Sequence, residues 1–479
     1  LNKICYELLL FRSVFFSLIT QVLCACEFFC AGYGAFDRRI SKGVIEYWDE
    51  LGNLSDIKDI VLDCRSEVGY ADGRIDKFSV LFLVPGESGV KSIVLRSFCD
   101  SKRSESIYGV LRSFCDGQKL KVYGDITREL GNFEGVFNFG GAGIIPGEGV
   151  SRMEIEVYGD VNIGFERGNP LFCGTLSFGE WSEFGKRAYG GPSRVLVRGD
   201  INIFGLGKLR CGVGRVVPTG STGCCCRGAD FEVLGAVNMT ALDVSYPTWI
   251  LNNRNNIGDS EKFGAVVKIG ALNGMGLVMN DAENAISTLV IANPAGVVGR
   301  FKGRIQDDAS VGGDSRISHV KDGKGAQYFL KTFGKKRFTG GLKVKDGQIY
   351  LNSTESIVNL SLEGGIVGTL PCEDSYGNVP PVLTVSDFNW SGGEMEVRLY
   401  GQGVGSEIRV CGDFKVSGEM KFKFVLKTSA LADKYRIFKW NRRPSLEGKI
   451  FSHNELAGID TVFEFRDDGL YVVFKEKEK

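Results

Sequence analysis

The chain of 479 residues has almost no histidine (2) and little proline (11), and its 58 basic and 58 acidic residues leave no net charge. That balance removes the basic footprint of a nucleic-acid binder and the acidic tail of a cation store. None of the 14 cysteines forms a Cys-x-x-Cys pair, and His319 and His453 lie far from the triplet Cys224, Cys225 and Cys226. The spacing therefore does not make a zinc site, and most of the cysteines read as small apolar core residues. No phosphate loop, dinucleotide fingerprint or nucleophile elbow is present. Calcium-binding nonapeptides need an aspartate every nine residues, which this chain does not supply. Neither a cofactor nor a metal is expected. Beyond the first 35 residues no apolar run approaches membrane-spanning length.

What is abundant is glycine (65) and phenylalanine (33), in a chain that is 43% hydrophobic. Glycine suits tight corners and phenylalanine a packed interior, a composition of strands and turns rather than helices or disorder. A short alternating phrase recurs. It reads Lys121-Val122-Tyr123-Gly124-Asp125-Ile126, then Ile155-Glu156-Val157-Tyr158-Gly159-Asp160-Val161-Asn162-Ile163. It returns as Val195-Leu196-Val197-Arg198-Gly199-Asp200-Ile201-Asn202-Ile203 and, degenerate, over residues 231–239. The glycines at 124, 159, 199, 235 and 270 are 35, 40, 36 and 35 residues apart. A fixed period of this size marks stacked supersecondary units, and period-2 alternation makes each unit β. Val122, Val157, Val197 and Val233 should stack in register. Glu154, Glu156, Asn162 and Asn202 should face solvent. Asp125, Asp160, Asp200 and Asp413 should accept backbone N–H groups at the bend after glycine.

The fold class expected is all-β, an elongated parallel β-helix or β-solenoid with a short N-terminal capping segment and a hairpin-ended C-terminal cap. Four regions follow. Residues 1–35 read as a signal peptide: Lys3 and Arg12, then an uncharged run from Ser13 to Cys26, then the small residues Ala31, Gly32, Gly34 and Ala35. Leu23-Cys24-Ala25-Cys26 resembles a lipoprotein box with Cys26 as lipid acceptor, ranked below ordinary cleavage; a buried N-terminal helix is the alternative to export. Residues 36–115 form a cap and the first coils, with residues 48–57 as a short capping helix. Here residues 94–100 recur as residues 110–116, which suggests equivalent positions in successive rungs. Residues 116–380 carry the solenoid repeats and 381–479 the closing segment, ending in a hairpin across Asp467-Asp468-Gly469.

A change of texture near residue 331 carries a resemblance. Lys331, Thr332, Gly334, Phe338-Thr339-Gly340-Gly341, Val344, Gly347, Ile349, Leu351 and Asn352 fit a known repeat. The stretch resembles the autotransporter-associated β-strand repeat of bacterial secreted passenger domains, departing from it at Phe333 and at the basic Lys335-Lys336-Arg337. Gly340-Gly341 turns one corner and Asp346-Gly347 the next, so that three strands build a triangular coil. The segment around Gly412-Asp413 is similar to the end of the same class of protein. With the N-terminal segment, the resemblance implies a surface or extracellular destination, with the periplasm as the alternative; membrane association is expected only through export or lipidation at Cys26.

One polar stretch, residues 306–319, could support catalysis. Asp307, Asp308, Asp314 and His319 bring together carboxylates and an imidazole of the kind polysaccharide hydrolases and lyases use on β-helices. The order does not match those enzymes, and a polar glycine-rich loop is the preferred reading. The function expected is therefore that of a non-catalytic adhesin or scaffold with an unidentified protein or glycan ligand. The alternative is a carbohydrate-active β-helix enzyme.

Overall fold

The computed structural model describes residues 45–47, 59–62, 66–69, 75–83, 87–95, 107–113, 118–129, 135–140, 153–164, 173–178, 194–211, 230–242, 245–251, 264–280, 285–307, 316–330, 339–352, 356–370, 381–446 and 450–476. The signal peptide expected at 1–35 and the capping helix expected at 48–57 lie outside the described residues. Among those described, every regular element is a β-strand, so the all-β expectation holds. The strands form a 10-stranded and a 28-stranded sheet, and nearly all pairings are parallel.

The register shows why the phrase repeats. Val122 pairs with Val157, Val157 with Val197, Val197 with Val233, and Val233 with Ile269, each in a parallel ladder. Counterparts one period apart are thus direct neighbours. We call the strands of one period a tier. A typical tier runs Met153–Val157, a bend at Gly159-Asp160, Val161–Ile163, then Cys173–Phe178. Each of the three strands pairs with its counterpart in the tiers on both sides. The third ladder runs from Ile45–Tyr47 to Arg304–Asp307. From Arg316 onward two ladders are described, through Leu342–Val344, Ser356–Leu362 and Val382–Trp390 on one side and Gln348–Asn352, Ile366–Leu370 and Glu394–Leu399 on the other. Two of the three strands of the resembling repeat are therefore seen. The third falls on residues 331–338, outside those described. Lys434–Trp440 closes the series by pairing antiparallel with Gly469–Glu476, which forms the expected hairpin with Ile459–Arg466.

Alternation places Leu120, Val122, Ile155, Val157, Val195 and Val197 inside at 1% exposure or less. Each buried valine or isoleucine contributes about 1.5–3 kcal/mol. Toward the C-terminus the interior turns aromatic, with Phe414 stacked at 5.1 Å from Phe388 and 5.2 Å from Phe438.

Two expectations fail. The seven-residue duplication does not mark equivalent positions: Val94 pairs with Val61 and Thr127, whereas Val110 pairs with Val80 and Asn138 in the other sheet. Sixteen residues is about half a tier and carries the chain to another side. Glu156 does not face open water. It is 7% exposed, clasped by Arg198 at 2.7 Å and Lys119 at 3.6 Å. Burial pushes its carboxyl pKa up, but the two cations outweigh that and hold it below the usual range. Arg198 also lies 4.9 Å over the Tyr158 ring, which stacks on Tyr123.

Val157→Asp would put an unpaired carboxylate between Val122 and Val197. We expect it to lower unfolding free energy by about 3 kcal/mol or more in a urea titration. An unchanged midpoint would contradict the register.

Candidate binding groove

Stacked tiers bring like residues face to face, and the bend glycines respond first. Gly159 donates to the Gly124 carbonyl at 3.1 Å and Gly199 to that of Gly159 at 3.2 Å. A Cβ on Gly159, Gly199 or Gly235 would collide with the backbone and the aspartate oxygen of the preceding tier. The aspartates pass hydrogen bonds along the stack. Asp125 Oδ1 accepts the Asp160 N–H at 2.8 Å, Asp160 that of Asp200 at 2.7 Å, and Asp200 that of Ala236 at 2.7 Å. Ala236 has no carboxylate to continue the series, and the register shifts there. The device returns at Asp387, which accepts the Asp413 N–H at 2.8 Å beneath Gly412. Sequence reading missed Asp387 because Ser386 stands where glycine would flag it. Gly341 and Gly347 adopt φ of +97° and +67°, as corner residues would.

Of the proposed catalytic set, Asp307 and His319 are among the described residues. Asp307 Oδ1 accepts the Ile317 N–H at 2.7 Å, and its other oxygen accepts the Thr339 hydroxyl, so it ties neighbouring segments together. His319 is 1% exposed and points inward, beside Phe329, between Leu289 and Leu342 of the adjoining tiers. Asp308 and Asp314 lie outside the described residues. The alternation Ile317, His319, Lys321 would have placed the histidine on the core face.

Elsewhere polar side chains are occupied with one another. Asn202, Asn238 and Asn273 each donate to the asparagine one tier before, Asn162, Asn202 and Asn238, at 2.9 Å. Further along that side Tyr350 donates to Glu396 at 2.9 Å, with Lys423 on the same carboxylate at 3.1 Å. Gly368, between Tyr350 and Glu396 in the ladder, leaves the space the phenol crosses. Burial first and Glu396 second push the Tyr350 pKa well above the ordinary phenol value.

The other long side differs. The short strand Leu342–Val344 sits between longer strands, and Gly340-Gly341 before it has no side chains. An open groove of about 450 Å³ results. One wall runs through Ser318, Gly341, Asn359, Asp387 and Asp413, the other through Lys343, Ser361, Asn389 and Lys415. Between the walls Leu342, Leu360 and Phe388 turn inward and leave backbone as the floor. Lys343 pairs with Glu363 at 2.8 Å and lowers that carboxyl's pKa. Among the described residues, no side-chain hydrogen bond occupies Asn359, Asn389 or Lys415, all exposed. Gly340, Gly341 and Asp413 were singled out from sequence as turn residues; the rest of the groove was not.

Among known proteins, no family model and no curated protein matches this chain.

One buried group is independent of the groove. Lys321 is 1% exposed and donates to the Gly323 carbonyl. Burial draws its pKa down to about 8, with Asp346 and Asp322 opposing. Below that pH the folded state holds a desolvated cation. Between about 8 and the ordinary lysine value near 10.5 the unfolded chain binds the proton that the folded chain has released, so stability rises with pH. Lys321→Met should therefore raise unfolding free energy at pH 7 by about 1–3 kcal/mol. Paired melts should show that advantage shrinking across the same window; an advantage independent of pH would contradict the assignment.

Proposed function

We propose that this protein is an exported β-solenoid of the autotransporter-passenger type, acting as a surface adhesin or structural scaffold. In this reading the tiers wind as successive coils of an elongated parallel β-helix. The antiparallel hairpin Ile459–Arg466 with Gly469–Glu476 covers its C-terminal end. The observation that carries the reading is the in-register stacking of counterparts one period apart over residues 118–274. It extends through the stretch that resembles the autotransporter-associated repeat.

The mechanism is display. A continuous hydrogen-bonded stack fixes outward side chains in rows about 4.8 Å apart, so that a ligand meets a preorganised surface. Within the rows, most polar groups support each other, and the groove beside Leu342–Val344 is where Asn359, Asn389 and Lys415, among the described residues, do not. Contact with a protein or glycan at that groove is the function this arrangement supports best. The burial of His319 and the bonds that tie Asp307 to the Ile317 N–H and the Thr339 hydroxyl favour this over hydrolysis or lysis of a polysaccharide.

Export is tested by recovering the protein from outside the cytoplasm and sequencing its N-terminus. The expected start lies between about residues 26 and 37. An intact Leu1 on protein confined to the cytosol would overturn the exported part of the reading.

A further inference from the structure

We propose that the groove beside Leu342–Val344 binds a neutral, hydroxyl-rich chain, an oligosaccharide lying along the stacking direction. This rests on the groove being a contact site, and names its ligand class.

Charge comes first. Lys343 and Lys415 on one wall face Asp387 and Asp413 on the other. A polyanion or polycation would meet as much repulsion as attraction, so the site does not select for either.

The floor excludes an extended peptide. Such peptides bind sheets by adding a strand to a free edge. Here the floor is the flat of the sheet, its peptide groups already in use: the Gly341 carbonyl accepts from His319 at 2.9 Å, and the Phe388 N–H donates to Asp413 at 2.8 Å. Nor is there an apolar anchor of the kind protein interfaces centre on. Leu342, Leu360 and Phe388 are 2% exposed or less and turned inward.

What remains suits sugar hydroxyls. A hydroxyl both donates and accepts, and a carboxamide offers both capacities on one group. Asn359 and Asn389 stand in adjacent tiers and on opposite walls: Asn359 pairs with Asp387, and Asn389 with Ser361. They therefore do not saturate each other as Asn162, Asn202, Asn238 and Asn273 do along the other side. Lys415 adds a donor beyond Asn389, and Asp387 an acceptor beyond Asn359. The wall from Ser318 to Asp413 crosses four tier steps, about 19 Å, a length for a chain of several rings rather than one sugar.

The test uses the full chain and an Asn359→Ala, Asn389→Ala double variant, both outward substitutions. A broad array of neutral oligosaccharides is screened beside a heparin hexasaccharide and a glutamate-rich peptide. Hits are titrated calorimetrically as dimer and hexamer. We expect at least one neutral hexamer to bind more tightly than its dimer. The double variant should weaken it at least tenfold at an unchanged melting temperature. Binding of the charged probes alone, no neutral binding at all, or neutral binding that survives the double substitution would each overturn the inference. N-terminal sequencing reads export separately, so an exported protein that ignores neutral sugars loses the ligand class and not the scaffold.

Discussion

Parallel in-register stacking is the constraint on which the rest of this structure depends. When each residue sits directly over its counterpart, one step of a sheet away, every position must tolerate its own kind as nearest neighbour. Valine and isoleucine do so by packing, and phenylalanine by stacking, as Phe388, Phe414 and Phe438 show. Glycine does so at the bends, where any Cβ would strike the tier before. Asparagine succeeds because its amide donates at one end and accepts at the other. Aspartate faces aspartate only because each carboxylate turns to a backbone N–H of the next tier.

Where a tier lacks its strand partner, a side chain substitutes for a peptide group. Between residues 271–274 and 298–301 only Gly274 pairs with Phe301. Gln327, from one tier further on, reaches past Gly299 and bonds both the N–H and the carbonyl of Leu272, at 3.2 and 2.8 Å. Asn454 does the same for Phe424, at 2.6 and 3.1 Å, where the ladder of Met420–Leu426 runs beyond Phe451–His453. Buried peptide groups without partners would be costly, and a carboxamide has the right pair of atoms to satisfy them.

Much of this was legible in the sequence because one-dimensional period and three-dimensional neighbour coincide. The Gly-Asp phrase gave away both the strand and its partner. The hairpin at Asp467-Asp468-Gly469 was equally local. What stayed hidden depends on contacts across tiers. Glu156 looked like a solvent residue from alternation alone, but Arg198 and Lys119 of the adjoining tiers cover it. Lys321 and His319 occupy inward positions that their chemistry argues against. The literal duplication at residues 94 and 110 misled because identity of residues is not identity of side. The groove was invisible for a further reason: it is made by what Gly340-Gly341 and a three-residue strand leave out.

If tiers stack in order along one direction, distance accumulates with each step. Asp230, Asn359 and Asp413 are exposed and lie on one outward row, five ladder steps separating the first pair and seven the first and last. Nitroxide spin labels at those positions, measured in pairs by dipolar spectroscopy, test it most directly. Ordered stacking gives backbone separations of about 24 Å for 230 to 359 and about 34 Å for 230 to 413, at about 4.8 Å per step. Equal separations, or a shorter one for the longer pair, would mean that the sheet closes on itself, and would contradict it.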